Sequence, residues 1–268
     1  MPTLPTGPRS ADLMTPIPPL HSTEGRPVTL EIDTLPSGVR RIRHPLKRRQ
    51  LTVIRTECTT PALVRITFGG ADLHDFVSLG FDDHVKVFIP GADPSAVEMR
   101  DYTPVRHDRV AGELDLEFVL HEAGAASDWA AQAEPGQVLQ VGGPKGSMLL
   151  PDDLHWLLLV GDATALPAMT RCLAEWPLRC TGQLAVLMHS ASERRELPLP
   201  DGVSLSWLDN EAGCLAFLRR WTAPAGPGFV WCAGEAQQVA DWRDVLSAKP
   251  GLRPDRIKAS AYWKSAPR

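Results

Sequence analysis

The chain changes its hydrophobic period once, near residue 150, and that change limits the folds open to it. Before it, LTVIRTEC, LVRITFGG, HVKVFIP, LDLEFVLH and QVLQVGG alternate or run apolar, with Gly, Pro and Asp between them. A period of two puts every second side chain on one face, as a strand does. Five or more such segments at this spacing predict an all-β antiparallel barrel, interrupted by a short helix around residues 127–133. After Gly146 the pattern is different. The run WLLLVG suits a strand buried on both faces, and LPAMTRCLAEW then has helical spacing and stops at Pro177. QLAVLMH, VSLSWL, EAGCLAFLRRW, GFVWCAG, EAQQVADWRDVLSA and RIKASAYW continue the mixture of strands and helices. That succession predicts an α/β domain with a parallel sheet. The expected organisation is a barrel over residues 44–150 and an α/β domain over 151–268. Residues 1–43 hold eight of the 25 prolines with no sustained period, and are expected to be a disordered extension.

Composition excludes several classes. With 43% hydrophobic and 22% charged residues the chain can bury a core, and its net charge of −4 argues against a nucleic-acid-coating protein. The longest dense apolar stretch, Trp156 to Val160, is too short to span a membrane, and no signal-peptide pattern opens the chain, so a cytoplasmic location is expected. Five scattered cysteines with no CxxC pair predict neither a metal site nor a disulfide framework. The basic cluster Arg40, Arg41, Arg43, Lys47, Arg48 and Arg49 reads either as a solvated linker or as a rim that attracts an anion.

Two segments carry chemistry. Gly161 to Ala168 reads GDATALPA: a strand ends, small residues turn, and Pro167 lies in the first turn of a helix. Free N–H groups and the helix dipole there suit a pyrophosphate. Asp162, Thr164 and Ala165 are the candidate contacts, with Asp162 expected to turn away from the phosphate because of its charge. The second segment is Arg100, Asp101, Tyr102 and Thr103. A guanidinium fork suits a pyrophosphate, a phenol ring stacks on a flat heterocycle, and a hydroxyl hydrogen-bonds its edge. A barrel followed by a nucleotide-type domain is the plan of ferredoxin–NADP reductase-like enzymes, which place such a segment against FAD.

Taken in order, MRDYTPVR, LDLEFVLH, GAASDWAAQAEPGQVLQVGGPKGS, GDATALPAM, WCAGEA and ASAYWK resemble the siderophore-interacting protein family of ferric-siderophore reductases, over residues 45–268. The resemblance implies FAD in the barrel, NADPH or NADH in the second domain, and an iron(III)–siderophore as substrate. It assigns Tyr102 and Thr103 to the reacting edge of the flavin. Arg100, Asp101, His121, Ala125, Ala126, Ser127 and Tyr262 fall among the cofactor contacts it implies. His121 stays open between an FAD contact and a backbone-bonded strand end. Trp129 reads as core and Ser147 as a weaker contact. Lys86, Arg106 and Lys264 are implied substrate anchors, and each lysine also reads as ordinary surface charge.

The chain departs from the family at Val105, where an Arg often follows Tyr-Thr-x and here stands one place later as Arg106. It also has Ala163 for the loop's Glu, and Ala261 for the Gly of the C-terminal segment. Arg194 and Arg195 after the second α/β strand favour NADPH, since arginine pairs a 2′-phosphate, while Glu193 and Glu196 beside them count against it. Rival readings keep the fold and change the acceptor or donor (free flavin, quinone or ferredoxin), or make the chain a non-enzymatic siderophore or flavin carrier.

Overall fold

The computed structural model describes residues 31–90, 97–120, 124–177 and 179–265. Strands β1 (Ile32–Thr34), β2 (Arg40–Arg43), β3 (Arg48–Thr60) and β4 (Leu63–Gly69) open the chain. Then come β5 (Val85–Pro90), β6 (Val97–Tyr102), β7 (Pro104–Asp108), β8 (Glu113–Val119), helix α1 (Ala125–Ala131), β9 (Val138–Gly142) and β10 (Gly146–Leu149). Seven of these strands form one antiparallel sheet in the order β6-β5-β9-β3-β4-β8-β7. Its edge strands β6 and β7 are separated in sequence by Thr103 alone. Laid flat, seven strands would span about 29 Å from edge to edge at the usual strand spacing. Tyr102 and Pro104 stand only about 7 Å apart along the chain. The sheet therefore curls until its edges approach each other at Thr103. The curl encloses Val85, Val87, Ile89, Leu114, Leu116 and Phe118, all buried. On β5 the buried residues alternate with Lys86 and Phe88, as a half-buried strand requires.

β1, β2 and β10 form a separate three-stranded sheet, with Ile42 buried at its centre. This corrects the expected extent of the N-terminal extension: residues 32–34 and 40–43 are paired strands. Proline content misled there, because β2 needs only four residues and a partner, β10, that lies about a hundred residues away. The earlier part of the extension lies outside the described residues.

The second half supplies β11 (Trp156–Gly161), α2 (Leu166–Ala174), β12 (Thr181–Leu187), β13 (Val203–Leu208), α3 (Glu211–Arg220), β14 (Gly228–Glu235), α4 (Ala236–Ser247) and β15 (Ile257–Trp263). The strands form a parallel sheet ordered β13-β12-β11-β14-β15. The unbroken apolar run of β11 has a direct cause. Leu157 and Leu159 pack with α2 residues Leu166, Met169 and Cys172 on one face. Trp156, Leu158 and Val160 pack with Leu218, Val239 and Trp242 of α3 and α4 on the other. Both faces are covered, so no position of the strand tolerates a charge. No helix among the described residues is long and apolar enough to cross a membrane.

Three polar contacts tie the two sheets together. Glu117 on β8, its side chain fully shielded, accepts a bidentate pair from Arg195 at 2.7 and 2.9 Å and a further bond from Arg65 at 2.7 Å. Arg171 on α2 donates to the Ser78 hydroxyl at 2.6 Å and to the Pro104 carbonyl at 3.2 Å. Asp82 pairs with Lys258 and accepts from the Tyr262 hydroxyl at 2.9 Å. Removing one member of a buried ion group leaves the others unpaired and costs about 3–5 kcal/mol. Glu117→Ala is accordingly expected to lower the urea midpoint by an amount in that range, at an unchanged denaturant slope. A midpoint equal to the wild type's would remove Glu117 from this role.

Candidate active site

The predicted flavin seat forms the last turn-in of β6. Arg100 is largely exposed, donating to Glu98 at 2.5 Å and to the Met99 carbonyl at 3.0 Å. An exposed pair of this kind is worth little, so the guanidinium is available to a stronger anion. Asp101 faces solvent and pairs with Lys86 at 2.8 Å. Tyr102 turns inward onto Phe118, ring centroids 4.2 Å apart, and burial raises its phenol pKa. Thr103 is buried.

Helix α1 packs against β4, β5, β6 and β8, which brings Ala125, Ala126 and Ser127 to the same end of the barrel as Arg100 and Tyr102. Gly124 at its N-cap has no side chain to occupy the first-turn amides, and Ala126 and Ser127 are buried. Trp129 stacks near Phe68 and Phe118 in the core. His121 lies outside the described residues. Ser147 is engaged within the protein, donating to Asp83 at 2.6 Å and meeting His44 Nε2 at 2.7 Å.

The parallel sheet reverses its strand order between β11 and β14, so the crevice for a nucleotide lies at the carboxyl ends of those strands. Gly161 ends β11 where a Cβ would come within 2.4 Å of Ala165, so the loop closes tightly against the strand. Asp162 follows, buried, and its carboxylate accepts from the Thr164 amide at 2.8 Å, the Glu235 amide at 3.0 Å and Trp263 Nε1 at 2.8 Å. Gly234 has φ 153°, and a Cβ there would come within 2.6 Å of the same carboxylate. Asp162 is therefore an internal anion that organises the loop and the C-terminal strand. Thr164 spends its amide on it, and Ala165 is fully buried. Glu235 caps α4 by accepting from the Gln237 and Gln238 amides, and also holds Ser265.

Three of the expected ligand contacts are occupied by protein partners. Arg106 is held by Asp115 at 2.8 Å, Glu113 at 2.6 Å and Asp108 at 3.1 Å, which raises its pKa further. The β7–β8 register shifts between Pro104 and Arg106, leaving Val105 as the extra residue. Arg194 pairs with Asp209, and Arg195 with Glu117. Arg195 is thus turned to a structural role, while Arg194 pairs with exposed Asp209. Spacing alone did not reveal this, because their carboxylate partners lie 15 and 78 residues away. Lys264 is exposed, with no ion pair among the described residues.

Residues 154–266 match the siderophore-interacting protein family, and residues 52–98 and 92–148 match the siderophore-interacting FAD-binding domain. The NADPH-dependent ferric-chelate reductase of Escherichia coli is 33% identical over 253 residues, 87% of this chain and 99% of that protein. The ferric vibriobactin reductase ViuB of Vibrio cholerae is 26% identical, covering 81% of this chain and 89% of that one. A siderophore utilization protein from T. fusca has a crystal structure that superposes with a TM-score of 0.79 at 29% identity, covering 90% of this chain and 98% of that one.

The chain belongs to the siderophore-interacting protein family.

FAD is thereby the cofactor expected of the barrel, and the donor set fits it. An exposed guanidinium and a helix N-terminus without a side-chain cap suit the two charges of its pyrophosphate. Sequence reasoning missed Asp82, Lys258, Glu117 and Arg171. The pair Asp82-Asp83 in GFDDHV was a visible signal, since two adjacent acids before a buried strand need cationic or N–H partners.

Glu113 gives a pH signature. Its bonds to Arg55 and Arg106 depress its pKa to about 2 from 4.5. A depressed carboxyl stabilises the fold above its ordinary pKa and loses that contribution as pH falls through the folded value. Arg106→Ala is expected to be less stable than the wild type by an amount that is full above about pH 4.5 and shrinks toward pH 2. Urea unfolding at pH 7, 4 and 3 reads this. A gap that stays constant or widens in acid would contradict it.

Proposed function

We propose that this protein is a cytoplasmic FAD-dependent reductase of iron(III)–siderophores that uses NADPH. The observation that carries the reading is the joint between the two sheets, where Arg171 of α2 donates to the Pro104 carbonyl beside Thr103 of the flavin seat, inside a chain whose two halves both match the family's domains. A donor nucleotide held by the parallel sheet and a flavin held by the barrel would face each other at that joint. The plan is that of ferredoxin–NADP reductase-like enzymes. NADPH is supported by the named activity of the Escherichia coli relative. The relatives' names give ferredoxin no support as donor. The free thiols suit a reducing compartment.

Bound FAD would supply the chemistry, accepting two electrons from the nicotinamide and releasing them singly to iron(III). The protein's share is placement. Arg100 and the first-turn amides of α1, at Ala125, Ala126 and Ser127, would hold the pyrophosphate. Tyr102 would flank the ring system, and Thr103 would hydrogen-bond its edge. Lys86 and Lys264 lie four residues beyond Asp82 and two beyond Tyr262, and those two residues are bonded to each other at 2.9 Å. Lys86, paired with exposed Asp101, and Lys264, exposed, would attract an anionic ferric chelate. Hard oxygen donors hold iron(II) less well than iron(III), so reduction loosens the metal.

The purified protein is expected to be yellow with FAD, to bleach anaerobically with NADPH, and to recolour on adding a ferric siderophore. A protein that takes up no FAD would overturn the reading. The double variant K86A/K264A is expected to keep its rate of bleaching by NADPH while its KM for an anionic ferric siderophore rises about tenfold, the equivalent of about 1.4 kcal/mol. An unchanged KM would direct the acceptor site elsewhere.

A further inference from the structure

The loop that follows β12 carries donors for an anion, and a carboxylate of the next strand already claims one of them. In a dinucleotide crevice the ribose beside the adenine is read at the end of the second strand, where an acid accepts from its 2′-hydroxyl or an arginine takes its 2′-phosphate. Here β12 ends at Leu187, and Met188, His189 and Ser190 follow with no acid among them. The acid comes from β13 instead: Asp209 follows that strand and pairs with Arg194. The two strand ends are also held by their backbones. The Met188 amide donates to the Leu208 carbonyl at 2.8 Å, and His189 Nδ1 donates to the Asp209 carbonyl at 3.2 Å. The Arg194 guanidinium is only partly satisfied there. Asp209 takes Nη2, while Nε is buried and has no hydrogen-bond partner among the described residues. Nε and one Nη form the edge with which an arginine grips a phosphate at two points. Ser190 and Ser192 in the same loop are bonded to each other at 2.7 Å, which leaves one hydroxyl proton between them for a further acceptor. Arg195 is taken by Glu117, so of the two arginines Arg194 is the one left at this edge of the sheet.

We propose that Asp209 is a specificity-determining residue that competes with the 2′-phosphate of NADPH for Arg194, and so holds down the preference for NADPH over NADH. The proposal rests on the reading that the donor nucleotide lies across the carboxyl ends of the parallel strands. The exchange is possible because the two acceptors are unequal. The Arg194 and Asp209 side chains are 26% and 74% exposed, and an ion pair so open to water is worth little. A phosphate monoester carries close to two negative charges at neutral pH and three acceptor oxygens. Asp209 meets the guanidinium at Nη2 alone, whereas a phosphate can take Nη2 and Nε together. NADH has no phosphate at this position and does not need Arg194. The carboxylate therefore taxes one donor and not the other.

The test uses the full chain loaded with FAD. Titration calorimetry compares adenosine 2′,5′-bisphosphate with adenosine 5′-monophosphate, which differ only in the 2′-phosphate, and anaerobic flavin bleaching gives the ratio of the NADH and NADPH KM values. Asp209→Asn is expected to favour the bisphosphate over the monophosphate by a further factor of about two to five, and to move the KM ratio toward NADPH to the same extent. Arg194→Ala is expected to reduce the preference for the bisphosphate by about tenfold or more, since the bond it removes is to a charged group. Asp209 acts through Arg194, so in the Arg194→Ala background Asp209→Asn is expected to leave both ratios where they were. Asp209 is exposed, so its variant still gives the answer should Arg194→Ala fold poorly. The proposal is overturned by an unchanged or smaller preference for the 2′-phosphate in Asp209→Asn, or by a gain that persists in full without Arg194. A wild-type flavin that bleaches with neither nucleotide would instead overturn the NADPH reading, and this proposal with it.

Discussion

Glu117 has a side chain shielded from water and a charge that must be balanced, and the relation between the two sheets depends on how that is done. An unpaired carboxylate in such a place is costly, and pairing repays the cost only with good geometry. Arg65, its neighbour across the β4–β8 pairing, supplies one partner from within the barrel sheet. The bidentate partner, Arg195, comes from the loop beyond β12 in the other sheet, and also reaches Thr170 on α2. A fork-to-fork bond fixes orientation as well as distance. The loop after β12 is thereby fastened to the barrel, and α2 is fastened beside it through Arg171 to Ser78 and Pro104. These contacts are not interchangeable with apolar packing, since each names one residue on each side.

With the sheets so fixed, the joint at Thr103 follows. Thr103 is the residue through which one edge of the curled sheet passes into the other, and Arg171 grips the Pro104 carbonyl next to it. The C-terminal strand meets the barrel at Asp82 through Tyr262, while Trp263 anchors on Asp162 and Ser265 on Glu235. Tyr262, Trp263 and Ser265 thus each have a carboxylate partner on a different element. On the flavin-seat reading, this joint brings the seat beside the parallel sheet, which is the arrangement a reductase needs if its two cofactors are to meet.

What the sequence disclosed follows what local periodicity encodes. β5 and β11 were legible because burial on one face or on both writes a distinct pattern into consecutive residues. The helices α2, α3 and α4 were legible for the same reason, each within a few residues of its limits. Strands β2 and β10 were not, because four residues carry no period and their pairing spans a hundred positions. In the site, Arg100, Tyr102 and Thr103 stood out because their chemistry is unusual in one short segment. Arg106, Arg194 and Arg195 looked like ligand contacts for an equally good reason, and each holds a carboxylate partner that is remote in sequence or belongs to a neighbouring strand. A free arginine and a paired one look the same until the fold is known. Asp162 was expected to turn away from a phosphate; its carboxylate accepts from protein donors, among them the loop amide of Thr164.

The bulge at Val105 gives this distinction a physical cause. Along a strand, a shift of one residue moves a side chain to the opposite face. An arginine at 105 and one at 106 are therefore not equivalent neighbours, even where a register shift bends the strand between them. At 106 the guanidinium falls on the rank formed by Asp108, Glu113 and Asp115, and pairs with all three carboxylates. Arg106 therefore does not stand in for a cation at position 105. On the flavin-seat reading, the barrel's direct charge toward a pyrophosphate falls to Arg100, whose only ion pair among the described residues is the weak, exposed one with Glu98. The remaining share falls to the backbone amides of α1, which are uncharged and therefore indifferent to pH.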